Sequence, residues 1–207
     1  MKLKLQVLMF SAIAMLSASS IKAQAINAMP FQTSMDTFNA VSGTVVDAPY
    51  ADDVAYSNLP IGFTFNFGGG TFTTFSATTN GWISLGGTGS FAQYFNVLSG
   101  TTNNVLAPFG GDLQNNGTNS SLSYTTIGTA PNRVLIVQWQ HYRYFATPTG
   151  DLNFQIWLYE NSDCVRFVYG NITTATGFNN FQVGPRGSST ADYSVLGDTS
   201  CNWALAQ

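Results

Sequence analysis

The 207-residue chain holds one histidine, two cysteines, one glutamate and only 8% charged residues, and each shortage excludes something. With His141 as the single imidazole, no two-histidine metal site exists, and a Ser-His-Asp triad would depend on that one residue. No G-x-S-x-G occurs, so none of the many serines stands in a nucleophile-elbow context. Glu160 is the only glutamate. A glycosidase needs two carboxylates flanking the sugar bond, and would have to recruit Asp112 or Asp151 beside it. Lysine is missing altogether after Lys2, Lys4 and Lys22, leaving four arginines against ten acids and a net charge of −6. Such a surface has no footprint for nucleic acid or anionic lipid. Beyond residue 25 there is neither an amphipathic helix of useful length nor an apolar run of about 20 residues to span a bilayer. The reading is a protein that is not an enzyme and carries no cofactor, with a hydrolase using Asp112, Asp151 or Glu160 as the remote alternative.

The first 25 residues have the form of an export signal. Lys2 and Lys4 supply the positive start, residues 7–18 the apolar core, and Ala23-Gln24-Ala25 the small-x-small cleavage triplet. The mature protein is therefore expected outside the cell or on its surface. Residues 26–40 read as a polar N-terminal segment and residues 41–207 as one domain, long enough to bury a real core without a metal or disulfide framework. Export permits one bridge, Cys164 to Cys201; the alternative is a small core residue at 164 and an unrelated thiol at 201.

Twenty glycines and 14% aromatic residues favour strands joined by turns. Residues 133–140, 152–160 and 164–169 read as three consecutive strands. Leu152, Phe154, Ile156 and Leu158 alternate with Asn153, Gln155, Trp157 and Tyr159, the period of two of a sheet with one buried face. Residues 134–137 are an unbroken apolar run, as in a central strand covered on both sides, and Asn161-Ser162-Asp163 marks a hairpin turn. Ile61, Phe63, Phe65 and Phe67 give a second alternating strand, closed by Gly68-Gly69-Gly70, a hairpin loop rather than a phosphate cradle because no Lys-Ser/Thr follows. An edge strand is expected near residues 43–47, a short strand or helical turn over 91–98, and further strands over 178–184 and 193–196, with Trp203 closing the core. Short strands at even spacing with Gly, Asn and Pro turns predict an all-β fold, a two-sheet antiparallel β-sandwich, jelly-roll-like.

Two candidate sites remain. Tyr142, Arg143, Tyr144 and Phe145 precede a Pro/Gly loop, where aromatic faces would stack on a sugar ring and Arg143 would donate hydrogen bonds; the alternative is that the tyrosines cover a sheet edge. Asp52 and Asp53 are the candidate calcium ligands, but the DxDxDG spacing is missing and no metal is assigned.

Several landmarks occur in a set order. They are Thr79-Asn80-Gly81-Trp82-Ile83-Ser84-Leu85-Gly86, Leu106-Ala107-Pro108-Phe109 with Asp112-Leu113, Ala130-Pro131-Asn132-Arg133-Val134-Leu135, Val137-Gln138-Trp139, Asn153-Phe154-Gln155, Val168-Tyr169-Gly170 and Gln182-Val183-Gly184-Pro185-Arg186-Gly187. Over roughly residues 40–204 the chain resembles the N-terminal β-sandwich of large exported Bacteroidetes surface proteins, which often continue into fibronectin type III repeats and a type IX secretion sorting tail. More distantly it is similar to the extracellular domain of nidogen-type matrix proteins. Gly110-Gly111 stands where bulkier residues are expected, and no sorting tail is seen. The resemblance implies a noncatalytic module for surface display, adhesion or matrix contact, with an extracellular protein or polysaccharide as partner and further domains in a longer chain. It brings no catalytic residues. Within it Trp82 and Trp139 should fill the core, Asn153 and Gln155 should hydrogen-bond on the outer face or to loop backbone, and Asp112 should anchor a loop.

Overall fold

Residues 134–137 do open a central strand. In the computed structural model, which describes residues 25–35, 37–87, 96–145, 147, 149–174, 181–189 and 191–198, that strand runs between two long antiparallel neighbours. After a single 3-10 turn at Ile26–Ala28 come β1 (Thr44–Val45), β2 (Ala55–Phe67), β3 (Gly70–Thr78), β4 (Ile83–Leu85), β5 (Val105–Gly110), β6 (Leu113–Asn115), β7 (Ser121–Ile127), β8 (Val134–Tyr144), β9 (Gly150–Tyr159), β10 (Val165–Thr174), β11 (Gln182–Arg186) and β12 (Gly197–Asp198). One sheet has the order β1-β7-β8-β9-β10 with β6 pairing the far end of β8; the other has the order β12-β11-β5-β4-β3-β2. Every strand pairing is antiparallel, and the two sheets pack as a sandwich. Consecutive strands stay mostly within one sheet, a meander of β2 to β5 followed by a meander of β7 to β10.

The alternating strands meet face to face. Ile61, Phe63, Phe65 and Phe67 of β2 and Leu152, Phe154, Ile156 and Leu158 of β9 all lie in one buried cluster with Leu135, Val137 and Trp139. A column of rings, Trp139, Phe154, Phe109 and Phe181, crosses the sandwich at centroid spacings of 5.1, 5.5 and 5.0 Å. Its polar tips are also placed: Trp139 Nε1 donates to the Thr78 carbonyl at 2.9 Å, and the Tyr169 hydroxyl donates to the Pro108 carbonyl at 2.7 Å. Both bonds join the two sheets and satisfy groups that burial would otherwise leave orphaned. Trp82 is buried as well; Trp203 and Cys201 lie outside the described residues, as do residues 1–24 of the leader and most of residues 91–98. Cys164 is exposed, so it is not a core residue.

One expectation about β9 changes. Its outer face is not open to water: Asn153 and Gln155 are buried too. The cover is the N-terminal segment. Gln155 Nε2 donates to the Asn39 carbonyl at 2.9 Å, and Gln138, its partner across β8 and β9, accepts from the Val41 amide at 3.0 Å. Phe38 packs against Gly170, where a Cβ would fall 2.7 Å from its Cγ. A stretch that is polar in composition thus serves as a lid, using backbone groups to satisfy the amides of the sheet beneath.

Candidate functional site

The loops at one end of the sandwich converge because the buried side chains of Asn80 and Asn115 and the half-buried one of Asp47 tie them together. Asp47 accepts from the Tyr142 hydroxyl at 2.6 Å, from Asn115 Nδ2 at 2.6 Å and from the Leu122 amide at 2.7 Å. Asn115 Oδ1 in turn accepts from the Tyr50 and Gly117 amides at 3.1 and 2.8 Å. Asn80, fully buried, donates through Nδ2 to Asp53 at 2.8 Å and accepts from the Leu113 amide at 2.9 Å. The glycine after it is required: Gly81 has φ +75° and a Cβ there would lie 2.2 Å from the Phe109 carbonyl oxygen.

This bracing brings the carboxylates of Asp52, Asp53 and Asp112 within 4.8 Å of one another. One oxygen of Asp52, Oδ1, is shut off from solvent and meets no donor. Burial first, then the charges of Asp53 and Asp112, push the Asp52 carboxyl up to about 6. Burial, then Asp53, also raises Asp112. The positive charge of Arg143, whose guanidinium donates to the Thr147 carbonyl and to Gln114 Oε1, opposes the rise at Asp52 only in part, because burial and two carboxylates outweigh it. Three convergent carboxylates with little counter-charge are the donor set of a hard divalent cation, whose remaining positions carbonyls and water fill. The sequence offered Asp52 and Asp53 as a pair but not Asp112 with them, because the third carboxylate lies 59 positions further on and no spacing rule reaches it.

Beside this trio lies an open cleft of about 420 Å³ lined by Tyr50, Asn116, Thr118, Asn119, Ser120, His141, Gly150 and Asp151. Tyr50 is 64% exposed, with its ring against the backbone of Gly117. His141 Nδ1 sits 2.9 Å from Asp151 Oδ1, and Asn153 braces both, donating to Asp151 at 3.0 Å and accepting from the His141 amide at 3.0 Å. Ser120, His141 and Asp151 are the residue types of a hydrolytic triad, but Ser120 Oγ donates to the Gln140 carbonyl at 3.1 Å rather than to the imidazole. The three carboxylates considered for hydrolysis also have separate partners: Asp112 in the acidic trio, Asp151 on His141, and Glu160 on Arg133.

The aromatic platform expected over residues 142–145 does not form one face. β8 carries a bulge between Trp139 and Tyr142, with His141 at φ +55°. The extra residue reverses the alternation, so Tyr142 points inward with Trp139 and is fully buried on Asp47. Burial pushes its hydroxyl well above the ordinary range. Tyr144 is partly buried, Arg143 is engaged as above, and only Phe145 is exposed. The aromatic face that lines the cleft belongs to Tyr50, whose exposure sequence pattern alone does not signal.

The model of one family, NIDO related, matches residues 29–206. The chain belongs to the NIDO-related family. No curated protein and no solved structure matches it. The match bears out the nidogen-type resemblance in its distant form, and a NIDO-related domain is of an extracellular type, consistent with a module without catalysis. It takes in most of the covering segment. Among the described residues no helix is long and apolar enough to cross a membrane.

Proposed function

We propose that this NIDO-related domain is a noncatalytic module exported to the cell exterior, displayed alone or at the head of a longer surface protein, and that its loop end makes the contact. The observation that carries the reading is the cleft beside Tyr50. It combines the exposed phenol of Tyr50, mounted on the loop that Asn115 holds, with amides, hydroxyls and a carboxylate-imidazole pair. That combination suits a neutral polysaccharide: a sugar ring stacks on the phenol while Asp151 accepts from, and the amides donate to, its hydroxyls. Adhesion to a protein surface through the same loops is the second outcome. A glycan array probed with the exported domain decides between them. Binding to a neutral glycan that drops at least about tenfold on Tyr50→Ala and on Asp151→Ala, as loss of a stacking face and of a charge-assisted bond implies, supports the polysaccharide. A blank array, with cell-surface protein captured in a Tyr50-dependent way, supports the protein partner.

The buried, donorless Oδ1 of Asp52 favours a second role for the same end, with calcium held by Asp52, Asp53 and Asp112 ordering the loops around the cleft. Millimolar calcium is then expected to raise the melting temperature of the domain, and Asp112→Asn to abolish that rise.

A further inference from the structure

The 3-10 turn at Ile26–Ala28 places the first buried residue among those described against their last turn. Ile26 is fully buried in the main hydrophobic cluster while Ala25, the residue before it, is exposed. Its backbone nitrogen lies 2.7 Å from Asp192 Oδ1, and the Asn27 amide reaches the same oxygen at 3.4 Å. The nest is shaped for these two residues. At Gly187 a Cβ would fall 2.3 Å from Asp192 Oδ2 and 2.8 Å from Ile26 Cγ1, and at Gly68, in the β2–β3 turn, one would meet Ile26 Cδ1 at 3.6 Å. Asp192 makes no ion pair with any arginine among the described residues. Arg186, the nearby charge on β11, turns to the Gly100 carbonyl and to Asn103, and Tyr193 is the other titratable group of that turn.

The Ala23-Gln24-Ala25 triplet ends at this nitrogen. We propose that a signal peptidase hydrolyses the Ala25–Ile26 bond and that the new α-ammonium of Ile26 pairs with Asp192, so that export processing itself completes the fold. In the hydrolysis the C–N bond breaks, water gives its hydroxyl to the Ala25 carbonyl carbon and a hydrogen to the Ile26 nitrogen, and that amine takes one more proton from solvent. The hydrogen bond from an uncharged amide to the carboxylate becomes an ion pair, which gives Asp192 a countercharge. Because Ile26 is buried in the folded domain, the cut precedes docking. The terminus then threads between Gly68 and Gly187 and pulls the covering segment taut over the outer face of β8 and β9.

The test begins with N-terminal sequencing of the exported protein, where Ile26 is the expected first residue and any other start overturns the proposal. Next, domains beginning at Ile26 with a free amine, at Ile26 with an acetylated amine, and at Ala25 are compared in urea, each with Asp192 and with Asp192→Asn. The free-amine form should exceed both others by on the order of tenfold in its folding equilibrium constant, and Asp192→Asn should erase that advantage. Equal stability of the free and acetylated forms, or an Asp192→Asn loss independent of the terminus, overturns the ion pair. A free α-amine ordinarily titrates near about 8. Pairing raises that value in the folded state, so the advantage should be full below pH 8 and fade as pH rises through the raised value, while the acetylated form shows no such fade.

Discussion

Asp52 illustrates how little a residue's own sequence neighbourhood says about its chemistry. Adjacent to Asp53 in sequence and to Asp112 only in space, it holds its proton up to about pH 6. A carboxyl whose folded pKa lies above its unfolded value of 3.8 weakens the fold as it ionises. Metal-free protein should therefore gain stability as pH falls from 7 through 6 toward 4, and Asp52→Asn should flatten that slope and raise the urea midpoint at pH 7. A lower midpoint in the variant would show that the carboxylate is stabilising without a cation. Tyr142 is the opposite case. Its hydroxyl is one of three donors to Asp47, and Tyr142→Phe should cost about 1 kcal/mol by removing one donor from a half-buried carboxylate that keeps the other two. The same substitution should leave glycan binding unchanged, since the ring faces the core.

At the scale of elements, the bulge in β8 and the covering segment decide what the sheets present. A strict period of two puts Trp139, His141 and Arg143 on one face. The bulge instead gives Trp139 and Tyr142 to the core and His141 to the cleft beside Asp151. The covering segment satisfies Gln138 and Gln155, so deleting residues 26–42 should uncover buried amides as well as remove Ile26 from the core. Loss of several kcal/mol is expected, since a fully buried aliphatic side chain alone contributes about 2–3 kcal/mol. Hydrogen exchange is the measurement that localises it: amides of β9 should exchange faster in the truncated protein, whereas a merely passive tail would leave them protected.

The whole molecule is tied across its sheets at both ends and in the middle. Away from the loop end, Arg133 bonds Glu160 and the Gly62 carbonyl, Thr126 Oγ1 donates to the Ile61 carbonyl at 2.8 Å, and the Asn66 amide donates to Asp163 at 2.9 Å. Trp139 and Tyr169 cross-link the interior. A sandwich clasped in this way should unfold as one unit, with tryptophan fluorescence and far-ultraviolet circular dichroism tracing the same urea transition. Separate transitions would mean that the two meanders are independent.

The sequence by itself determined the all-β class, the two-sheet sandwich, the inward faces of β2 and β9 and the hairpins after Phe67 and Tyr159. Alternation, β-branched runs and turn residues are local signals, and a strand's period carries them in a few residues. It also carried the landmarks of the family, though family membership names no site. Only the tertiary structure decided the rest. One inserted residue in β8 moved Tyr142 from the surface to the core, a shift that no composition marks. Asp112 joined Asp52 and Asp53, Tyr50 became the exposed ring, and Ile26 reached Asp192 across 166 positions. These are meetings of loops and termini, whose partners are chosen by how the sheets close on each other and not by any periodicity in the chain.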